Sequence, residues 1–171
     1  MTRLRKGLGI KSFPSGVTDV DAGQVDGDIP LVYFMDVGWG DCDPAQIAYT
    51  SRIPEWGLRA IENWYRHCLG ADWYAINLRH GLGTPFVSLD CQFHAPITPD
   101  HALNTVTYVT RLGNRSLAHQ VEGFQDDILC FTMNTTAAFV DASSMQSVLI
   151  PDNARSRIQQ YMEKQNKEFT Q

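Results

Sequence analysis

The sequence predicts an α+β fold in which a curved antiparallel sheet wraps around one long central helix. Three observations predict it. A single apolar strand precedes one strongly periodic helical segment, four long β-rich segments follow that helix, and turn chemistry separates those four. A chain of 171 residues suits one domain with a sizeable core.

Taken in order, residues 1–28 mix basic residues with Gly, Ser, Pro and Asp and show no sustained periodicity. They read as a flexible N-terminal arm, pinned at Phe13 or Val17. The domain proper is expected over residues 29–150. Leu31, Val32, Tyr33, Phe34, Met35 and Val37 form its first strand, ending at Gly38-Trp39-Gly40. After a turn at Asp43-Pro44, residues 52–69 place Trp56, Ala60, Ile61, Trp64, Tyr65 and Cys68 on one helical face. Glu55, Arg59, Glu62 and Arg66 fall on the other side, with opposite charges at i,i+4, and Gly70 is the expected stop. Strands are expected over residues 85–95, 102–111, 116–123 and 129–142, with turns at Pro96–Asp100, Gly113-Asn114 and Gln125–Asp127. A polar C-terminal helix, from about Asp152 to Lys167, occupies the 151–171 extension.

Composition excludes several classes. Hydrophobic residues make up 43% and charged residues 19%, a globular balance, and the net charge of −5 excludes a generally basic nucleic-acid binder. The charge is uneven, however: residues 12–51 hold seven Asp and no Lys or Arg, whereas four bases lie in the first eleven residues. Cys42, Cys68, Cys91 and Cys130 are too widely spaced for a Cys-x-x-Cys metal site and read as reduced, packed thiols. The apolar stretch Gly7–Ile10 is too short for a signal peptide and no run reaches membrane-spanning length, so a soluble, cytoplasmic protein without membrane association is expected.

The segment that carries chemistry is Gly40-Asp41-Cys42-Asp43-Pro44-Ala45, between the first strand and the long helix. Asp before Pro is by itself a turn signal. A carboxylate beside a helix N-terminus has a second use. The helix end offers unsatisfied N–H groups and partial positive charge that can polarise a carbonyl while the carboxylate attacks it or activates water.

This block, continued by Ile47, Tyr49 and Trp56, resembles the opening signature of the 4-hydroxybenzoyl-CoA thioesterase-like family, which adopts the hotdog fold. The resemblance extends through Gly83-Thr84-Pro85-Phe86-Val87, through Phe93, Pro96, Asp100 and Leu103, and through the Arg111-Leu112-Gly113-Asn114-Arg115-Ser116 turn. It covers about residues 30–142 and implies an acyl-CoA thioesterase with Asp43 as nucleophile or general base. It further implies that the backbone N–H of Thr50 polarises the thioester carbonyl. Arg111 and Arg115 would grip CoA phosphates, with Ser116 in the same turn, while Tyr49 and Phe86 would wall the acyl pocket. No metal or cofactor is implied beyond the CoA of the substrate. The implied assembly is a homodimer, or a dimer of dimers (a homotetramer), with the active site shared between protomers.

Departures from the family pattern bear on specificity. Gln46 stands where the pattern has Gly, Ala48 where it has Val, and Thr50 where it has a second aromatic. Thr50 still supplies a backbone N–H, so the oxyanion role survives while the acyl pocket is reshaped. Gln46 would either narrow the entrance or hydrogen-bond substrate or water. Leu58 leaves no carboxylate on the helix to meet a phenol hydroxyl, which argues against 4-hydroxybenzoyl as the acyl group. A hotdog hydratase would need His five residues after its Asp, and position 48 is Ala. Asp41 reads as a structural, turn-bonding carboxylate, and Cys42 as a packed residue rather than a nucleophile. Two other readings stay open: a non-catalytic hotdog module binding acyl-CoA or a partner, and a thioesterase acting on acyl carrier protein.

Overall fold

The computed structural model describes residues 30–168. The expected arm at residues 1–28 lies outside the described residues. Strand β1 (Leu31–Met35) leads through a short 3-10 turn at Trp39–Asp41 to the central helix α1 (Arg52–Leu69). Helix α2 (Trp73–His80), β2 (Leu82–Gly83), β3 (Phe86–Phe93), β4 (Leu103–Leu112), β5 (Ser116–Gln125), β6 (Ile128–Ala138), β7 (Val140–Asp141) and α3 (Asp152–Glu168) follow. The main sheet has the order β1-β4-β5-β6-β3, with every pair antiparallel, and β2 and β7 form a separate small ladder. This is the expected α+β hotdog architecture: one sheet, with α1 laid across its inner face.

Helix α1 forms because its apolar residues recur at helical spacing. Ile53, Trp56, Gly57, Ala60, Ile61, Trp64, Tyr65, Cys68 and Leu69 are all buried, and Gly70 ends the helix at φ 73°. On the sheet, alternation selects the residues that meet it: Leu103, Thr105, Thr107 and Val109 from β4, Leu117, His119 and Val121 from β5, Phe131, Met133 and Thr135 from β6. Two glycines make room, one for α1 against β6 and one for the Phe131 ring across the β5–β6 ladder. A Cβ on Gly57 would stand 2.4 Å from the Met133 methyl, and one on Gly123 would stand 2.0 Å from the Phe131 ring.

Three features depart from the expectation. Helix α2 was not anticipated. Asp72 caps it by accepting the Ala75 N–H at 2.8 Å, and Gly81 closes it at φ 65°. The expected 129–142 strand is divided into β6 and β7, and β3 carries a bulge between Phe86 and Ser88. The C-terminal helix also does more than extend the chain. The Gln165 side-chain amide accepts the Val109 N–H at 2.9 Å and donates to the Val109 carbonyl at 3.2 Å. The Tyr161 hydroxyl accepts the Leu31 N–H at 3.1 Å and donates to the Thr107 carbonyl at 2.8 Å. The described part of β1 pairs no further along β4 than Thr107, so these two side chains satisfy backbone groups at and just past that point.

His119 is buried in the aromatic centre of the core, its ring edge-on to Trp64 at 4.5 Å and tilted against Tyr65 at 5.8 Å. Neither ring nitrogen has a hydrogen-bond partner among the described residues, and burial lowers its pKa to about 3. The imidazole therefore stays neutral in the fold. Between its ordinary value of 6.5 and about 3 the unfolded chain binds a proton that the folded chain refuses, so stability falls as pH falls through that window. Urea titrations should show this group alone removing roughly 2 kcal/mol between pH 7 and pH 5. His119→Leu should lose that part of the acid slope, and an unchanged slope would exclude a neutral buried His119. The two glycines predict an order of tolerance. Met133 can swing its flexible end aside, whereas the Phe131 ring cannot shorten. Gly123→Ala should therefore cost about 1–3 kcal/mol and Gly57→Ala less, and the reverse order in denaturation midpoints would contradict the packing.

Candidate active site

The 38–50 segment folds into a small hairpin held largely by its own backbone. Asp43 N–H donates to the Ile47 carbonyl and Gln46 N–H to the Asp43 carbonyl, both at 2.9 Å, with an isolated bridge between Cys42 and Ala48. Ala48 N–H reaches the Ile97 carbonyl at 2.8 Å, which ties the hairpin to the segment after β3. Asp41 is structural, as its position in the turn suggested. One carboxylate oxygen accepts the Gly38 N–H at 3.0 Å and the other pairs with Arg52 Nε at 3.2 Å. That pair joins the hairpin to the first residue of α1.

Asp43 is half-buried, and its Oδ1 accepts the Ala45 N–H at 2.7 Å. Gln46, exposed at the tip, has φ 67°, in the left-handed region that favours glycine. The backbone thus keeps the shape of a glycine turn although the residue is Gln. Burial, then the carboxylates of Asp41 and Asp43, push the Cys42 thiol above its ordinary range, which leaves it a neutral thiol rather than a nucleophile.

Thr50 lies two residues before α1. No side chain caps this helix, and Pro54 in its first turn has no N–H to offer. The Thr50 N–H donates to no backbone carbonyl among the described residues. Beside it opens a cavity of about 310 Å³ whose walls include Ile47, Thr50, Ile53, Phe93, His94 and Ile97. The cavity is largely apolar, and Thr50, whose N–H has no backbone acceptor among the described residues, is one of its lining residues. Asp43 does not line it. Tyr49, half exposed, also stands outside it.

The other expected site residues lie elsewhere. Strand register places Phe93 opposite Phe131 at one end of β3, and Phe86 opposite Ala137 at the other. Seven residues of strand separate them by about 20 Å. Phe86 packs edge-on against Trp73 at 5.7 Å. At that same end the β4–β5 turn carries Arg111, Arg115 and Ser116, with Leu117 paired to both Leu112 and Ala137. The structure therefore brings Asp43, Gln46, Tyr49 and Thr50 together at one end of the sheet, and Phe86, Arg111, Arg115 and Ser116 at the other. Sequence reasoning assigned no site role to Phe93, His94 or Ile97. The signal available was the Phe93-x-x-Pro96 turn, whose fold-back onto Ala48 only the tertiary structure reveals.

A family model described as the thioesterase-like superfamily matches residues 37–158. Among solved structures, a thioesterase superfamily protein from Jannaschia sp. CCS1 is 39% identical, with a TM-score of 0.75, over 81% of this chain and 97% of that one. The 4-hydroxybenzoyl CoA thioesterase from Pseudomonas sp. strain CBS-3 shares the fold at 22% identity and a TM-score of 0.66, over 74% of this chain and 97% of that one. A 1,4-dihydroxy-2-naphthoyl-CoA thioesterase from Synechocystis does so at 18% identity and a TM-score of 0.68, over 74% and 93%. No curated protein matches the chain. The chain belongs to the thioesterase-like superfamily. Among the described residues no helix is long and apolar enough to cross a membrane, and no group of three or more His, Cys, Asp or Glu could hold a metal ion.

The left-handed backbone at position 46 generates a stability test. Gln46→Gly should raise stability by about 1 kcal/mol, because glycine adopts φ 67° without a Cβ clash. A loss of stability on thermal or urea denaturation would show that the Gln side chain stabilises the turn.

Proposed function

We propose that the protein is an acyl-CoA thioesterase that hydrolyses its substrate to a carboxylic acid and free CoA. The observation that carries the reading is the Thr50 N–H without a backbone acceptor among the described residues, at an uncapped helix start, in a residue that lines an apolar cavity in a chain of this superfamily. A thioester carbonyl placed there would be polarised by that N–H and by the positive end of α1. The Asp43 carboxylate would then attack the carbonyl or activate water. The thiolate of CoA is a good leaving group, so one carboxylate and one oxyanion site suffice without a strong acid.

The distribution of residues supports a site completed by a second copy. Strand β3 is a sheet edge, with Val87, Leu89 and Phe93 exposed by 67%, 44% and 50%. An open apolar edge favours pairing with another strand. Antiparallel pairing of two β3 strands would bring the Phe93 end of one protomer to the Phe86 end of its partner. The Asp43 and Thr50 half of one chain would then face the Phe86, Arg111 and Arg115 half of the other. Phe86 and Tyr49 would wall the acyl group, Gln46 would meet substrate or water at the rim, and Ser116 would stand by the carrier. Cytoplasmic location and a dimer or dimer of dimers belong to this same reading.

Free-thiol release from a panel of aryl, short-chain and long-chain acyl-CoAs tests it. Wild type should turn over at least one, and Asp43→Asn should lower kcat by about 100-fold or more. Turnover of none, or an unaffected variant, would remove Asp43 hydrolysis and favour a binding module. Light scattering on the same sample should give at least a dimer, and a strict monomer would contradict the shared site.

A further inference from the structure

We propose that Arg155 of the C-terminal helix is a third arm of the phosphate-binding surface at the β4–β5 turn. In this role it positions that turn and adds charge beside Arg111 and Arg115. The inference rests on the acyl-CoA reading above and extends the site into α3, which the sequence treated as an appendage.

Two guanidinium groups lie at this turn, and a third, that of Arg115, is carried by it and reaches the adjoining Ser147 segment. Arg155 Nη2 donates to the carbonyl of Gly113 at 2.7 Å and to that of Asn114 at 3.3 Å. Arg115 Nη1 donates to the Ser147 carbonyl at 3.0 Å. Arg111 lies over the turn, with its Nη1 3.5 Å from where a Gly113 Cβ would stand. The backbone around them is tightly fixed: Gly113 N–H to Ser116 carbonyl at 2.8 Å, Ile150 N–H to Asn114 carbonyl at 3.0 Å, and Phe139 N–H to Arg115 carbonyl at 2.8 Å.

The partners are what matter. Carbonyl oxygens accept hydrogen bonds without cancelling charge. On α1, by contrast, Arg52, Arg59 and Arg66 each face a carboxylate. Among the described residues none of Arg111, Arg115 and Arg155 has a carboxylate within 4.0 Å. Asp152 precedes Arg155 by three residues yet makes no ion pair with it, and the Asp141 carboxylate is taken by Ser143 and Ser144. With nineteen acids for fourteen bases, carboxylates are not scarce in this chain. Three arginines left without a carboxylate keep their charge available, and an external polyanion would neutralise it. Planar guanidinium groups at several angles suit phosphate oxygens. The matching ligand is the phosphate-bearing nucleotide half of a CoA thioester.

Steady-state kinetics of wild type, Arg155→Gln and Arg155→Lys should be compared on one acyl group carried by CoA, by 3′-dephospho-CoA and by N-acetylcysteamine. Arg155→Gln should raise KM for the CoA ester by about tenfold with kcat held, and should weaken discrimination against the dephospho ester. The N-acetylcysteamine ester, which has no phosphate, should not respond. Arg155→Lys, which keeps the charge and loses the planar fork, should fall between and covers the case that the Gln variant fails to fold. Equal losses on the CoA and N-acetylcysteamine esters would mean a purely structural role and overturn the proposal, as would no loss on either. An Arg155 effect on acyl carrier protein substrates alone would also overturn it. Should wild type hydrolyse no thioester, the enzyme reading falls and calorimetric titration with free CoA decides this one. Binding about tenfold weaker in Arg155→Gln supports it, and equal or absent binding overturns it.

Discussion

The seating of α1 on the inner face of the sheet is the constraint from which the rest follows. An 18-residue helix with nine buried residues cannot stand in water. Its Ala60, Ile61 and Trp64 are fully buried, and Gly57 removes a side chain that would hold helix and sheet apart at Met133. Because the helix is fixed along its length, its N-terminus is fixed too. The ion pair between Arg52 and Asp41 then fastens the preceding hairpin to that end. The position of the Thr50 N–H is thus a consequence of packing far from it. An exposed ion pair of this kind contributes little stability, about 0–1 kcal/mol, so its value lies in orientation.

Charge is divided along the same axis. The Asp-rich stretch of the sequence ends in the hairpin at the α1 N-terminus, where Asp41 is neutralised by Arg52 and Asp43 is not paired with a base among the described residues. The opposite end of the sheet has the reverse character, with arginines bonded to carbonyls. A net charge of −5 conceals this polarity. One chain alone therefore presents a carboxylate and cations at opposite ends of a sheet whose edge strand β3 spans about 20 Å. A molecule that needs both would meet them on one chain only if it were long, or on two chains if edges pair.

Much of this was legible in the sequence, for reasons that differ by element. The long helix and β4 to β6 were legible because each buries one face against the other, and burial imposes a period. Helix α2 was not. Its residues Trp73, Tyr74 and Ile76 are mediocre helix formers, it lasts eight residues, and its only local signals were Asp72 and Gly81 at its ends. The hairpin at 40–50 was legible through its residue pattern, because the Asp side chains and Pro44 that make its turn are themselves turn signals. The cavity beside Thr50 was not, since one wall comes from residues 93–97, which tertiary contacts place against the hairpin, the Ala48 N–H bonding the Ile97 carbonyl. Arg155 escaped for the same reason: its partners lie about forty residues upstream in the chain.

Position 46 joins these strands of argument. The left-handed conformation there is not chosen by the residue, since Gln disfavours it. It is imposed by the neighbours. Asp43 N–H on Ile47, Gln46 N–H on Asp43, Ala45 N–H on the Asp43 carboxylate and Ala48 N–H on Ile97 leave the chain no other path. Local strain of this sort persists where surrounding structure over-determines the backbone. A substitution for glycine at such a turn leaves the carboxylate and the helix-end donor where they were and changes only what the tip presents to solvent. The hairpin can in this way hold a fixed backbone geometry while its rim varies. Position 46 is accordingly one whose side chain can change while the backbone bonds that place Asp43 stay in place.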